Sequence, residues 1–207
     1  MGDKHFRGNN TVDYWHLKHQ RDFNLDGDYE FPTDPLNYGY VTKQLLIENR
    51  DAFSRKSILE IGCANGTTIT DIKNGLEDFD CYGCDFSPVS IEAAKKKSPN
   101  VEYEVRDVIL DPIKKDYGAI CILETIEHIE EGTNYKILGN ILEHCEYAIV
   151  STVDTEDDCF GEHISHYKLD TFDKKGYDVV WKSKLTEIQM PDGIYHYIIF
   201  LIKGDLN

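Results

Sequence analysis

Short apolar runs alternate with helical stretches through the middle of this chain. Each apolar run is followed by a polar or glycine-containing turn and then by residues with helical spacing. This alternation predicts a parallel sheet with helices on both faces, an α/β arrangement. The predicted strands are 57–61, 80–84, 101–105, 117–123 and 147–152, and the predicted helices between them are 67–74, 88–97 and 134–144.

The pattern changes toward both ends of the chain. Residues 38–53 have apolar positions near helical spacing and predict one more helix, whereas residues 1–36 are polar and aromatic without a sustained period. At the other end, residues 177–188 and 194–203 predict two long strands joined by a turn, which together form a β-hairpin. The whole pattern predicts a doubly wound sheet of seven strands that ends in an antiparallel hairpin.

No linker or repeat interrupts the chain after this first segment. We therefore expect an irregular lead-in or lid over 1–36 and one domain over 37–207. Aromatic residues of the lead-in, such as Tyr14 and Trp15, are candidates to close over a bound ligand together with Tyr38 and Tyr40.

Composition narrows the class of protein. The 207 residues are 41% hydrophobic and 29% charged, which is typical of a globular protein. We find no apolar run long enough to span a membrane and no apolar signal-peptide core at the N-terminus, so we expect a cytoplasmic protein without a membrane partner. The net charge of −16 argues against extended nucleic acid as a partner, although one nucleic-acid end can still fit a local pocket.

Six cysteines raise the question of disulfides or zinc. Cys81-x-x-Cys84 has no second such pair, and both of its members fall within or at the end of one predicted strand. We therefore expect the cysteines to act as small buried hydrophobic residues.

The first predicted strand leads into a turn of small residues that carries candidate chemistry. Glu60, Gly62, Ala64 and Gly66 form the pattern E-x-G-x-A-x-G ahead of a helix. Glycines let the backbone approach a ligand, and the helix N-terminus presents free N–H groups to it. A dinucleotide fingerprint places its last glycine five residues after the first, not four, so the spacing disfavours the competing interpretation, a nicotinamide-dependent oxidoreductase.

The second predicted strand ends close to an acidic residue, Asp85. A carboxylate at this edge of the sheet can accept hydrogen bonds from the hydroxyls of a ribose, and the neighbouring Phe86 can pack on a base.

Together these motifs resemble those of the class I S-adenosylmethionine (SAM)-dependent methyltransferases, which have a Rossmann-like fold, and the resemblance runs from residue 57 to the C-terminus. It implies SAM as the cofactor, with the methionine end held by Glu60 and the turn 62–66, including Cys63. It also implies that Asp107 accepts a bond from the adenine amino group, with Val108 beside the ring. Ala64 replaces the commoner glycine, which we expect to matter little if its φ is negative.

The fourth predicted strand is followed by Glu124-x-x-Glu127-His128. If this segment forms a helical turn, the three side chains share one face. They could then bind a divalent metal such as Mg²⁺ or Mn²⁺, or His128 could act as a general base that Glu127 orients. Glu124 could alternatively contact the cofactor only through its backbone.

This motif resembles those of ubiquinone-biosynthesis O-methyltransferases and of small-RNA 3′-end 2′-O-methyltransferases. Both groups have a histidine in the substrate loop, where this chain has His163 and His166. The chain departs from the RNA-end group after Tyr167, because it lacks the Phe-Glu-Trp-Thr run. The candidate catalytic residues are His128, Glu127 and His163, and the candidate metal ligands are Glu124, Glu127, His128, His163 and His166.

These observations lead to a hypothesis about function. We expect a SAM-dependent methyltransferase that acts on a hydroxyl of a small molecule or sugar. The alternatives are a metal-dependent 2′-O-methyltransferase of RNA ends and an inactive SAM-binding partner subunit. The Asn/Asp-Pro-Pro-Tyr/Phe cluster common in N-methylation of bases is missing after the fourth strand.

Overall fold

The structure is a computed structural model that describes residues 37–154, 163–190 and 193–206, with backbone only for 186–190 and 193–194. The predicted lead-in over 1–36 lies outside the described residues, as does the tip of the predicted hairpin at 191–192. No helix in the described ranges is long and apolar enough to cross a membrane.

A seven-stranded mixed sheet forms the centre of the fold, in the order β3-β2-β1-β4-β5-β7-β6. The first five of these strands are parallel, and β7 runs antiparallel between β5 and β6. The strands are β1 (Ser57–Ile61), β2 (Asp80–Asp85), β3 (Glu102–Val105), β4 (Tyr117–Leu123), β5 (Cys145–Val153), β6 (Val179–Met190) and β7 (Gly193–Lys203). The predicted doubly wound sheet with its terminal hairpin is confirmed.

Five α-helices accompany the sheet in the described residues. They are α1 (Tyr38–Glu48), α2 (Thr67–Gly75), α3 (Pro88–Lys97), α4 (Thr133–Glu143) and α5 (Thr171–Lys174). A 3₁₀ turn, Ile126–His128, follows β4. The start of α3 shows how local sequence sets these boundaries, because the Ser87 side chain accepts a hydrogen bond from the Ser90 N–H and Pro88 occupies the first turn.

The central strand β4 is buried along its whole length because helices cover both faces of the sheet. On one face, Ile120 and Ile122 pack in a cluster with residues of α4, such as Ile141. On the other, Cys121 belongs to a cluster with Ile69 and other residues of α1 and α2. The alternation of side chains along each strand therefore supplies two cores, one on either side of the sheet.

The five cysteines within the described residues are free and buried. Burial raises the pKa of Cys81 and of Cys145 to about 12, so both thiols stay protonated at neutral pH. Their predicted structural role is confirmed, while Cys159 lies outside the described residues.

Helix α1 ends earlier than predicted. The expected helix over 38–53 is wrong beyond Glu48, because Asn49 caps the C-terminus and a turn follows. Phe53 is nevertheless buried, and it packs edge-on against Phe79 and Tyr147 at centroid distances of 6.0 and 5.7 Å. The apolar residue that extended the helical pattern therefore reaches the core from a loop.

Candidate active site

A cavity of about 250 Å³ opens where the carboxyl ends of β1, β2, β3 and β4 meet. This edge is where open α/β sheets bind their ligands. The residues that line the cavity come from the ends of these strands, from α1 and from the 3₁₀ turn: Tyr38, Ile61, Gly62, Ala64, Asp85, Phe86, Arg106, Asp107, Val108, Ile109, Leu123, Glu124, Thr125, His128 and Ile129.

Two glycines shape the turn after β1. Gly62 has a φ of +71° and Gly66 a φ of +74°, which disfavours any side chain there. A Cβ on Gly62 would lie 2.3 Å from the Thr125 Oγ1 atom, and one on Gly66 would lie 2.4 Å from the Tyr103 hydroxyl. The turn is fixed to β2 because the N–H groups of Gly62 and Cys63 both donate to one carbonyl of that strand, at 2.8 and 3.0 Å.

Ala64 also has a positive φ, of +47°. The expectation that its φ is negative is therefore wrong, and the replacement of glycine by alanine at this position has a cost. For an L-residue the left-handed region costs about 1–2 kcal/mol. The backbone N–H of Ala64 is held by the Asp85 carboxylate at 3.1 Å, which helps to keep the residue in this conformation.

Asp85 is almost completely buried at the floor of the cavity. One carboxylate oxygen accepts from the Ala64 N–H and the other accepts from the Ser87 N–H at 2.8 Å. Burial raises the pKa of Asp85 to about 6, although these two hydrogen bonds act in the opposite direction. The carboxyl is still mostly ionised at neutral pH, and each oxygen has a further lone pair for a ligand hydroxyl.

Glu60 faces the start of α2 and is not among the residues that line the cavity. Its carboxylate accepts a hydrogen bond from the Ile69 N–H at 3.0 Å, and desolvation raises its pKa to about 8. The N-cap residue Gly66 has no side chain, so Glu60 supplies the hydrogen bond that a capping residue would otherwise provide. Cys63 and Gly66 belong to the turn but, like Glu60, are not among the residues that line the cavity.

Apolar side chains line the cavity beyond the ends of β2 and β3. They are Phe86, Val108 and Ile109, and Asp107 lies beside them. One Asp107 oxygen accepts from the Ile109 N–H at 2.9 Å. Arg106 pairs with Glu104 at 2.8 Å and does not neutralise Asp107.

The segment after β4 is not the helical turn that the sequence led us to expect. Glu124 has a φ of +48°, and only Ile126–His128 form a 3₁₀ turn. The Glu124 and Glu127 carboxyls nevertheless lie close enough to interact. Burial raises the pKa of both carboxyls. The neighbouring Glu127 raises the pKa of Glu124 further, whereas the interaction with Glu124 lowers that of Glu127 and only partly offsets the effect of burial.

Ser151 of the neighbouring strand β5 holds Glu124 in place. Its Oγ donates to the Glu124 carboxylate at 2.8 Å, and its carbonyl accepts from the Glu124 N–H at 3.1 Å. Sequence reasoning missed Ser151. The only available signal was a small polar residue near the end of an otherwise apolar strand.

Three side chains form a possible metal centre beside the cavity. Glu127, His128 and His163 each offer a ligand atom within 4.8 Å of the others, and the two imidazole rings are 4.9 Å apart between centroids. The Glu127 carboxyl is 1% exposed, and no donor in the described residues reaches either of its oxygens with good hydrogen-bond geometry, although Thr152 and Glu124 lie near enough to lower its pKa. Glu124 is not part of this cluster, and neither is His166, which is exposed.

Backbone hydrogen bonds bring the distant His163 to this position. The N–H groups of Ile164 and Ser165 both donate to the Glu127 carbonyl, at 2.9 and 3.0 Å. The Ser165 hydroxyl donates to the Ile129 carbonyl at 2.6 Å. The loop that carries the histidines is therefore docked directly on the 3₁₀ turn.

Tyr38 lies at the N-terminus of α1 and lines the cavity. Its ring packs edge-on against Tyr197 of β7 at a centroid distance of 5.3 Å. Of the aromatic residues considered for closing the site, Tyr40 is not among the lining residues, and Tyr14 and Trp15 lie outside the described residues.

Comparison with known proteins agrees with this geometry. Residues 58–146 match the family model described as a methyltransferase domain. A putative methyltransferase, 235L, of Invertebrate iridescent virus 6 is 27% identical over 147 residues, which are 64% of this chain and 52% of that protein. The chain thus spans about half the length of this curated relative.

Solved structures with the same fold include several methyltransferases. The N-methyltransferase NodS from Bradyrhizobium japonicum, in complex with S-adenosylhomocysteine (SAH), is 14% identical with a TM-score of 0.68, over 96% of this chain and 100% of that one. The magnesium protoporphyrin IX methyltransferase from Synechocystis with bound SAH is 12% identical with a TM-score of 0.65, over 93% and 97%. At these identities the likeness concerns the fold.

Proposed function

We propose that the class I SAM-dependent methyltransferase domain carried by this chain transfers a methyl group to a hydroxyl of a small molecule or sugar. The observation that supports the cofactor most directly is the cradle itself. The left-handed turn residue Ala64 donates to Asp85, whose two oxygens keep lone pairs for the ribose hydroxyls. Phe86 and Val108 provide an apolar slot for the adenine ring.

His128 is the residue that we assign to the chemistry of the acceptor. It lines the cavity at the end of β4, and its ring packs against His163. Methyl transfer is an in-line displacement in which the acceptor oxygen attacks the methyl carbon and the S–CH₃ bonding electrons remain on sulfur. A hydroxyl must lose its proton during this step, and His128 can accept that proton.

The choice of a hydroxyl acceptor is supported by residue chemistry at the end of β4. An imidazole with carboxyls nearby is suited to proton removal, which a neutral amine does not need before it attacks. The Asn/Asp-Pro-Pro-Tyr/Phe cluster that often accompanies N-methylation is replaced here by Glu124-Thr125-Ile126-Glu127.

The acceptor assignment can be tested with SAM labelled in its methyl group. We would compare pools of sugars and phenols with matched pools of primary amines, and we expect label to enter the hydroxyl compounds. The His128→Ala variant should lower this turnover at least about a hundredfold while SAH affinity changes less than threefold, because general-base catalysis contributes roughly that much. Label in amines alone, or an equal loss of turnover and affinity, would contradict the proposal.

A second candidate is metal-dependent 2′-O-methylation of an RNA end, and the Glu127–His128–His163 cluster favours it. One carboxylate and two imidazoles, with ligand atoms within 4.8 Å of one another, fit a divalent transition metal such as Mn²⁺. A metal held there would neutralise charge on neighbouring hydroxyls. The net charge of −16 opposes binding of a long RNA.

Removal of metal separates these candidates. If the cluster holds a required metal, EDTA should abolish methylation of a short RNA 3′ end and Mn²⁺ or Mg²⁺ should restore it. Unchanged transfer to small hydroxyl compounds in EDTA supports the metal-independent enzyme. Tight SAM binding with no transfer to either acceptor class would instead indicate a SAM-binding partner subunit.

A further inference from the structure

Two neighbouring carboxyls at the end of β4 have no Lys or Arg partner in the described part of the chain, although the His128 and His163 rings lie beside Glu127. Glu124 faces the cavity, and Glu127 lies behind it and is 1% exposed. Within residues 37–154, 163–190 and 193–206, no Lys or Arg pairs with either carboxyl. Buried carboxylates are unfavourable unless a cation or donors compensate them, so this arrangement suits a ligand that brings positive charge.

Ser151 fixes the direction of the Glu124 carboxylate. The completely buried Ser151 makes two hydrogen bonds with Glu124. Its hydroxyl donates to the Glu124 carboxylate, and its carbonyl accepts from the Glu124 N–H. These bonds hold Glu124 at a φ of +48°, a conformation that is unfavourable for a residue with a side chain. The structure therefore maintains a strained residue that places a carboxylate at the cavity wall.

The order of the strands indicates which part of the cofactor reaches Glu124. Along the edge β3-β2-β1-β4, Val108 follows β3, Asp85 ends β2, Gly62 follows β1 and Glu124 follows β4. With adenine beside Val108 and the ribose on Asp85, the next atom of SAM along its chain is the sulfur, which falls beside Gly62 and Glu124. The sulfur must also lie near His128 if that residue serves the acceptor.

We propose that Ser151 holds the Glu124 carboxylate, with Glu127 behind it, against the sulfonium of bound SAM, so that the pocket prefers the charged methyl donor over its neutral product. This inference rests on the proposed function. SAM and SAH share their adenosine, ammonium and carboxylate groups and differ by the methyl group and its positive charge. When the methyl leaves, the S–C bonding electrons stay on sulfur, the charge disappears, and SAH is held less tightly than SAM.

Calorimetric titrations with three ligands test the proposal without a known acceptor. SAM and sinefungin carry a positive group at the sulfur position, whereas SAH does not. We expect the Glu124→Gln variant to lose about tenfold or more in affinity for SAM and sinefungin but less than threefold for SAH, since the proposed Coulomb attraction acts on a positive charge at the sulfur position, which SAH lacks. Ser151→Ala should lower the ratio of SAM affinity to SAH affinity as well, but by a smaller factor, because the Glu124 carboxylate remains but is no longer held by the Ser151 hydroxyl.

The matched control is Glu131→Gln, which removes one exposed carboxylate on the same segment outside the cavity. It should leave the SAM to SAH ratio unchanged. An equal loss for all three ligands, or an unchanged ratio in Glu124→Gln, would overturn the proposal. All titrations contain EDTA, and a preference that appears only when Mn²⁺ replaces EDTA would assign the carboxyls to a metal and overturn it as well. A folded wild type that binds none of the ligands would refute the proposed function itself.

Discussion

Gly62 and Ala64 lie two residues apart in one turn and both have positive φ, but their surroundings differ. The position of Gly62 excludes a Cβ, since that atom would lie 2.3 Å from the Thr125 Oγ1. Ala64 already has a Cβ in the left-handed region, at φ +47°. The turn therefore contains one glycine that is required by close approach and one alanine that is tolerated under strain.

Replacing Gly62 by alanine and Ala64 by glycine should have different effects on the stability of the fold. We expect Gly62→Ala to lower the free energy of unfolding by about 2–4 kcal/mol, because it adds both backbone strain and a steric clash. Ala64→Gly should change it by about 0 to +1 kcal/mol, because relief of strain is partly offset by the greater freedom of glycine in the unfolded chain. Urea denaturation measures both values, and a stable Gly62→Ala protein would contradict this description of the turn.

At the level of elements, α2 depends on a carboxyl group from β1. Glu60 accepts from the Ile69 N–H, and burial raises its pKa from the usual 4.5 to about 8. The sequence predicted both elements and an acid between them, but it suggested cofactor binding for Glu60. Whether a strand-terminal acid faces the ligand or the next helix depends on how the helix packs, which a residue pattern does not contain.

The raised pKa of Glu60 makes folding depend on pH. Between about pH 4.5 and 8 the folded protein keeps a proton that the unfolded chain releases, so stability present below pH 4.5 is lost as the pH rises through 8. Glu60→Gln keeps an acceptor for the Ile69 N–H but cannot titrate. Without ligand, the free energy of unfolding of Glu60→Gln minus that of wild type should therefore be about 2–4 kcal/mol larger at pH 8.5 than at pH 4.5.

Thermal unfolding of both proteins across this pH range measures the difference. Asp85 is retained in both proteins, so its own raised pKa contributes to both curves, and its charge is one of the smaller causes of the raised Glu60 pKa. Parallel stability curves for wild type and Glu60→Gln would contradict the assigned pKa shift.

The residue pattern also did not predict the conformation of the Glu124–His128 segment or the contacts of the histidine loop. Helical spacing predicted that Glu124, Glu127 and His128 share a face, but Glu124 is left-handed, so a helical turn does not produce the proximity of the carboxyls. His163 joins them through backbone bonds to the Glu127 carbonyl. Such long-range backbone contacts leave no spacing signal, so His163 could be grouped with Glu127 and His128 only through the resemblance to known methyltransferases and not from the residue pattern itself.

At the scale of the molecule, the sheet determines both stability and the location of the site. The doubly wound sheet and its terminal hairpin were predictable, because alternating apolar runs, helical stretches and turns indicate them, whereas the strand order β3-β2-β1-β4-β5-β7-β6 comes from the structure. Strand β4 lies at the centre with all of its residues buried, whereas β3 is a four-residue edge strand with three exposed positions. The cavity lies along the boundary between these regions.

Hydrogen exchange should reflect this difference between centre and edge. We expect the amides of β4 to exchange most slowly, near the rate of global unfolding, and those of β3 to exchange faster. Addition of SAH should slow exchange in the turn at Gly62–Gly66 more than in β6, since the turn forms part of the proposed binding site. Faster exchange in β4 than in β3 would contradict the described packing.

The most direct test of the central claim is a calorimetric titration of the folded protein with SAH, alongside Asp85→Ala. We predict micromolar binding by wild type and a loss of at least about a hundredfold in the variant, because hydrogen bonds between the carboxylate and the ribose are charge-assisted. The variant also loses the bonds to the Ala64 and Ser87 N–H groups, so its fold must be checked by circular dichroism. Failure of the folded wild type to bind SAH, or equal binding by Asp85→Ala, would contradict the account.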